Sequence, residues 1–378
     1  MSACGSWSQA KNILCVRLDS LGDVLMTTPA LRALKESGSD RRITLLTSPA
    51  GAEAASLVPE IDAVLVYQAP WMKATPPHTG STPEYAIAER LRRLQFEAAV
   101  IFTVYSQNPL PAAFLCYLAD IPLRLAHCHE NPYQLLTHWV QDPEPSTRIR
   151  HEVQRQLDLV AAVGCGTANA RLSIRFPHRA HFHALRWLRE MEIDRRRSWV
   201  VIHPGASAAS RRYPAAGFAK VAQRLVRELD CPVVFTGDQM ERELIEQIRG
   251  LMGVPSHSLA GQLSLAELAA LLSVAPLLIA NNTGPVHVAA AVGTPVVDLY
   301  ALTNPQHTPW GVPSRVLFHD VPCKYCYKSV CPEGHHDCLH RVSPDAIVTA
   351  ACELLRDVAK PQANAGRLEP VEEPAVPA

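Results

Sequence analysis

The chain carries no surplus of charge: 36 basic residues stand against 36 acidic ones. That balance excludes the electrostatic footprint of a general nucleic-acid binder, and no nucleic-acid partner is expected. No run of 18 or more apolar residues occurs, so no membrane-spanning helix is expected. The opening MSACGSWSQAK lacks the apolar stretch of a secretory signal, so the expectation is a cytoplasmic protein. Glycine is scarce where a nucleotide-binding chain would use it. The stretch VRLDSLGDVLMTTPALRAL (16–34) reads as a strand, a short turn and a helix, yet its turn holds one glycine, Gly22, followed by Asp23. An acid at a helix N-terminus repels a phosphate, so this first turn is not a phosphate loop.

What is present is a regular alternation. At 378 residues the chain exceeds the roughly 250 to 300 at which single cores stop growing, which favours two domains. NILCVRL (12–18), ITLLTSP, AVLVYQ and AAVIFTV read as buried strands. TTPALRALKES (27–37), with Pro29 tolerated in a first turn, and TPEYAIAERLRRLQ have helical spacing. A second alternating unit starts at SWVVIHPGAS (198–207) and runs to TPVVDLY. Alternating strands and helices imply parallel sheets covered on both faces, with ligands beyond the carboxyl ends of the strands. The expected organisation is a lobe over 1–170, a linker strand and exposed helix over 171–197, a second lobe over 198–355, and a disordered tail over 356–378.

Two loops of the second lobe suit an anion. VVIHPGASAASRRYP leads from a strand through Gly205 and Ser207 to Arg211 and Arg212; small residues, a hydroxyl and guanidinium groups fit a diphosphate. In LLIANNTGPVHVAAAVG, Asn281, Asn282, Thr283 and Gly284 open an apolar helix containing His287, with nothing acidic in its first turn. The plainer readings are a solvated loop, a well-capped structural helix with a core histidine and, for Asp23, an ordinary N-terminal helix acid.

Together, RLDSLGDVLMTTPALRALK, HPGAS followed by RRYP, and NNTGPVHVAAAVGTPVV resemble glycosyltransferase family 9, the heptosyltransferases, in order and spacing from about residue 11 to 355. The resemblance implies an α/β GT-B fold: two Rossmann-like lobes facing a central cleft, the N-terminal one holding the acceptor and the C-terminal one the nucleotide sugar. It implies inverting transfer of a heptose from ADP-heptose to a lipopolysaccharide core or related glycan acceptor, with no cofactor required. It places the general base at Asp23, diphosphate contacts at Arg211 and Ser207, and nucleotide-sugar contacts at Asn282, Thr283, Gly284 and His287. Ser20, Gly22 and Arg124 are further acceptor-side candidates. Many members have aspartate where this chain has Asn282, which leaves the contact made there open. Asp238 or Gln239 is a candidate ribose contact.

Eleven cysteines are present, four of them at Cys323, Cys326, Cys331 and Cys338 beside His335 and His336. These are enough soft ligands for a structural zinc, but the spacing is not that of a standard finger, and reduced thiols remain the alternative. Transfer of another sugar from another nucleotide, or nucleotide-sugar binding without catalysis, also stays open; Asp23 discriminates, since a sensor needs no base. Peripheral contact with the inner face of the membrane follows from a glycolipid acceptor, with Arg41, Arg42, Arg92 and Arg93 as basic residues that would serve it.

Overall fold

A computed structural model describes residues 6–73, 75–77 and 79–359. The chain divides into two compact units at Ser173 and Ile174. The first contains β1 (Asn12–Arg17), α1 (Leu21–Glu36), β2 (Arg42–Thr47), α2 (Pro49–Ala55), β3 (Ala63–Val66), α3 (Thr82–Arg93), β4 (Ala98–Ile101), α4 (Leu110–Leu118), β5 (Leu123–Cys128), β6 (His138–Gln141) and α5 (Glu152–Ala161). Its strands form one six-stranded sheet in the order β3-β2-β1-β4-β5-β6, parallel throughout.

The second unit contains α6 (His178–Glu190), β7 (Val200–His203), α7 (Ala215–Leu229), β8 (Val233–Phe235), α8 (Arg242–Met252), β9 (His257–Ser258), α9 (Leu265–Val274), β10 (Leu278–Asn281), α10 (Gly284–Val292), β11 (Val296–Leu299), β12 (Ser314–Leu317), α11 (Asp337–His340) and α12 (Pro344–Ala359). Its sheet runs β12-β11-β10-β7-β8-β9. Renumbered within the unit, this is the same doubly wound order as the first. The order reverses between β1 and β4 in one sheet and between β7 and β10 in the other, and ligands of such sheets bind at that switch point.

Central strands such as β1, β4, β7 and β10 are apolar runs because helices cover both faces, and they are buried almost throughout. Helix α1 starts at Leu21 rather than after a separate turn, so Gly22 and Asp23 belong to its first turn and Pro29 lies mid-helix. The missing Pro29 N–H strands the carbonyl of Leu25, and Thr28 Oγ1 donates to it at 2.7 Å. The expected linker contains helix α6 but no strand over 171–177. Helix α12 continues to Ala359, past the expected start of the tail; residues 360–378 lie outside the described residues.

Candidate functional site

In the first unit, the chain leaving β1 and the chain leaving β4 wall a cavity of about 650 Å³. Asp19, Ser20 and Asp23 line it on one side, Thr103, Gln107 and Asn108 on another, and Trp71 and Met72 add an aromatic and an apolar wall. This is the switch point of the sheet, with polar groups converging on a partly apolar pocket that suits a sugar.

Asp23 is the third residue of α1 and closes a capping box. Ser20 N–H donates to its Oδ2 at 3.1 Å, and Ser20 Oγ donates to the same atom at 2.7 Å. Its Oδ1 meets Arg17 Nη2 at 2.9 Å. The capping and catalytic readings therefore coexist: the carboxylate is anchored, yet it still lines the cavity.

Arg17, on a strand read as apolar, is the residue that organises this cluster. It is fully buried and also contacts Asp19 Oδ2 at 3.0 Å and Glu152 Oε1 at 2.8 Å. Burial alone would lower its pKa, but the three carboxylates together raise it. With one cation among three acids the cluster holds surplus negative charge, and Asp19 responds. Burial raises its pKa to about 6; Arg17 pulls it down, Asp23 pushes it up, and a hydrogen bond from Gln107 pulls it down. The Glu152 carboxylate also accepts from Gln156 Nε2 at 2.6 Å, so α5 supports the site from behind.

Of the other candidates here, Ser20 lines the cavity, whereas Gly22 and Arg124 do not. Arg124 spends its guanidinium on the carbonyls of Leu135, Gln134 and Ile121, which stitches β5 to the turn before β6. Arg41 is likewise buried against backbone carbonyls. Arg92 pairs with Asp120, and Arg93 with Glu89.

In the second unit the two anion motifs leave adjacent strands. Asn281, the buried end of β10, ties them together. Its Nδ2 donates to Pro204 O at 2.7 Å, and its Oδ1 accepts from Tyr213 N at 3.1 Å. Gly205 leaves room for the Glu241 carboxylate: a methyl there would fall 1.7 Å from Glu241 Oε1, so that side chain would have to move. Burial lowers the pKa of His203 to about 4, so it is neutral. Asp238 is tied into the turn before α8, its Oδ1 accepting from Glu241 N at 2.9 Å and its own N–H donating to Glu241 Oε2 at 2.9 Å.

Arg211 is partly buried and its guanidinium makes no hydrogen bond or ion pair with any described residue, so its charge is available to a ligand. Ser207 is exposed in the same loop; Thr283 caps α10 with an uncommitted hydroxyl, and Gly284 is its first residue. His287 is buried one turn on. Asn282 is only 4 % exposed. Its Nδ2 donates to Asp298 Oδ2 and to His307 O, both at 2.9 Å, so its amide is fixed inside the protein.

Cys323, Cys326, Cys331, Cys338, His335 and His336 line a cavity of about 20 Å³, room for a single water. Cys323 Sγ and His335 Nε2 lie 3.8 Å apart. Among the described residues no three His, Cys, Asp or Glu side chains are arranged to hold a metal ion. None of the described helices is long and apolar enough to cross a membrane.

Two doubly wound lobes, with a carboxylate cluster at one switch point and an open cation beside a helix N-terminus at the other, define the GT-B class of α/β proteins. Residues 85–336 match the family described as glycosyltransferase family 9 (heptosyltransferase), and the chain belongs to that family. It is 23% identical over 305 residues to the lipopolysaccharide core heptosyltransferase OpsX of Haemophilus influenzae, covering 80% of this chain and 82% of that protein. It is 28% identical over 162 residues to lipooligosaccharide heptosyltransferase 2 of Campylobacter jejuni, which spans 41% of this chain and half of that protein. In fold it is similar to the crystal structure of a family 9 glycosyltransferase from Veillonella parvula. That similarity has a TM-score of 0.78 at 23% identity and covers 93% of this chain and 98% of the other.

Proposed function

We propose that the protein is an inverting glycosyltransferase that moves a heptose from ADP-heptose to a lipopolysaccharide core or related glycan acceptor. The observation that carries this reading is the division of polarity between the two switch points: anchored acids in the first unit, an unpaired cation with neutral donors in the second. Asp23 takes the proton of the acceptor hydroxyl as the new bond to the anomeric carbon forms. The departing diphosphate gains negative charge, and Arg211, Ser207 and the N-terminus of α10 stabilise it as that charge develops. A carboxylate base with a guanidinium and backbone donors at the leaving group supplies what the step needs without a metal. Trp71 and Met72 offer apolar faces to the acceptor sugar. A glycolipid acceptor would bring the enzyme to the inner face of the cytoplasmic membrane.

One observation favours a different donor sugar as the second reading. Asn282 has its amide engaged internally, so the charged contact that many relatives place at this position is not made in the same way. A thermal-shift panel of nucleotide sugars separates the two. A ligand at 100 times its dissociation constant stabilises by about 2.7 kcal/mol, which is readily seen. ADP-heptose is expected to shift the protein, and Arg211→Ala is expected to lose most of that shift. A shift with another nucleotide sugar but none with ADP-heptose overturns the donor assignment.

The carboxylate cluster sets an expected pH profile. Asp19 and Asp23 share Arg17 as a partner, and Asp19 takes up its proton near pH 6, so the rate is expected to fall as pH drops through about 6. Asp19→Asn removes a negative neighbour of Asp23 and should move that acid limb to lower pH. An unchanged limb in the variant would show that Asp19 does not share in the titration.

A further inference from the structure

The donor lobe contains a second carboxylate that the proposed chemistry leaves unused. Asp298 sits in β11 with its side chain fully buried, opposite Ala280 of β10 on one side and Val316 of β12 on the other. Oδ2 accepts from Asn282 Nδ2 at 2.9 Å. Oδ1 is buried and has no hydrogen-bond partner among the described residues. A half-satisfied buried carboxylate is costly and is not explained by packing, since an apolar residue would fill the strand position without that penalty.

Two features of its surroundings point to the nucleotide site. Asn282 is the residue between the end of β10 and the cap of α10, and its other amide hydrogen is held by His307 O. The carboxylate therefore anchors one side chain that joins the Thr283–Gly284 turn to the chain following β11. The charged group that acts on Asp298 is Arg211, the unpaired guanidinium of the HPGAS–RRYP loop. Tyr300, just past the end of the strand, donates its hydroxyl to Asn304 O and is held protonated by burial, while the Asn282 amide and the His307 carbonyl are neutral.

We propose that Asp298 is a positioning residue of the nucleotide site, fixing Asn282 and, through its own charge, setting how much of the Arg211 charge is available to a bound diphosphate. The inference rests on the reading of Arg211 as a diphosphate contact. Burial raises the pKa of Asp298 to about 8, against the opposing pull of the Asn282 hydrogen bond and of Arg211. Below that pH Asp298 is neutral and Arg211 keeps its full charge for the ligand. Above it the ionised carboxylate offsets Arg211 and repels the diphosphate. Binding and protonation are thus linked, and a diphosphate bound near pH 8 draws a proton onto Asp298.

The test is calorimetric titration of the full chain with ADP and with UDP at pH 7, 8 and 9, in buffers of different ionisation enthalpy. In this range a terminal phosphate, with its second pKa near 6, is already ionised. For the wild type, affinity should weaken about three- to tenfold from pH 7 to pH 9, with proton uptake on binding at pH 8. Asp298→Asn keeps an acceptor for Asn282 and should show neither the pH dependence nor the uptake. Asp298→Ala leaves the Asn282 amide without its acceptor and should bind more weakly than Asp298→Asn at every pH. Nucleotide binding that is flat with pH and free of proton uptake in the wild type overturns this inference alone, as does Asp298→Asn retaining the wild-type profile. If neither nucleotide binds the wild type, the nucleotide reading fails and this inference fails with it.

Discussion

Asp23→Asn should lower transfer by about 10²- to 10⁴-fold, the usual contribution of a positioned general base, while ADP binding is retained. The amide keeps the size of the carboxylate but cannot take up the hydroxyl proton. Its cost to the fold is small by comparison. Asp23 now accepts from Ser20 N, Ser20 Oγ and Arg17 Nη2, and an amide oxygen can face only one side of that set. Losing one cap bond costs about 1 kcal/mol, which a denaturation curve would register without loss of the folded state. Turnover at the wild-type rate would remove Asp23 from the chemistry. If Asp19→Asn were the dead variant instead, the base would be Asp19, whose raised pKa suits proton acceptance near neutral pH.

Arg17→Met should be the most damaging substitution to the first unit. It leaves Asp19, Asp23 and Glu152 facing one another around a buried apolar side chain with no cation between them. Removing one partner from a buried ion pair typically costs about 3 to 5 kcal/mol, and here three acids lose the same partner. Arg17→Lys keeps the charge but has no planar fork to meet three carboxylates, so it should rescue only in part. Adding Glu152→Gln to Arg17→Met removes one repelling charge and should restore part of the loss. The measurement is urea denaturation of the variants; Arg17→Met within about 0.5 kcal/mol of the wild type, the range of an ordinary surface change, would show that the cluster is not held by Arg17.

The residues that were legible in the sequence are those whose signal is local. The strand NILCVRL, the acid after Gly22 and the small-residue turns after His203 and Asn281 each announce themselves within a few positions. The repeated alternation then specifies two parallel sheets. Arg17 was not legible, because a lone basic residue in an apolar run does not show that Asp19 and Asp23 fold back onto it or that Glu152, 135 positions away, completes the set. Asp298 was hidden in the same way inside TPVVDLY, since the partner that explains it, Asn282, comes from the turn that follows the neighbouring strand. The start of α1 was misplaced because Pro29 looks like a first-turn residue until Thr28 is seen covering the carbonyl that proline exposes. Arg124 reads in the sequence as a cation free for a ligand, and only its three carbonyl partners reveal a structural role. The cysteine segment carried composition but not geometry: its four thiols line one small cavity, and among the described residues no three ligands are placed to hold a metal ion.

The central claim is that this chain transfers heptose to a glycan acceptor with Asp23 as the base. The most direct measurement incubates the wild type and Asp23→Asn with ADP-heptose and a lipopolysaccharide core acceptor, following ADP release and the anomeric configuration of the product by NMR. The wild type should release ADP only when acceptor is present and give a product of inverted configuration, with Asp23→Asn binding ADP but releasing almost none from the donor. A product of retained configuration, or equal ADP release by both proteins, would contradict it.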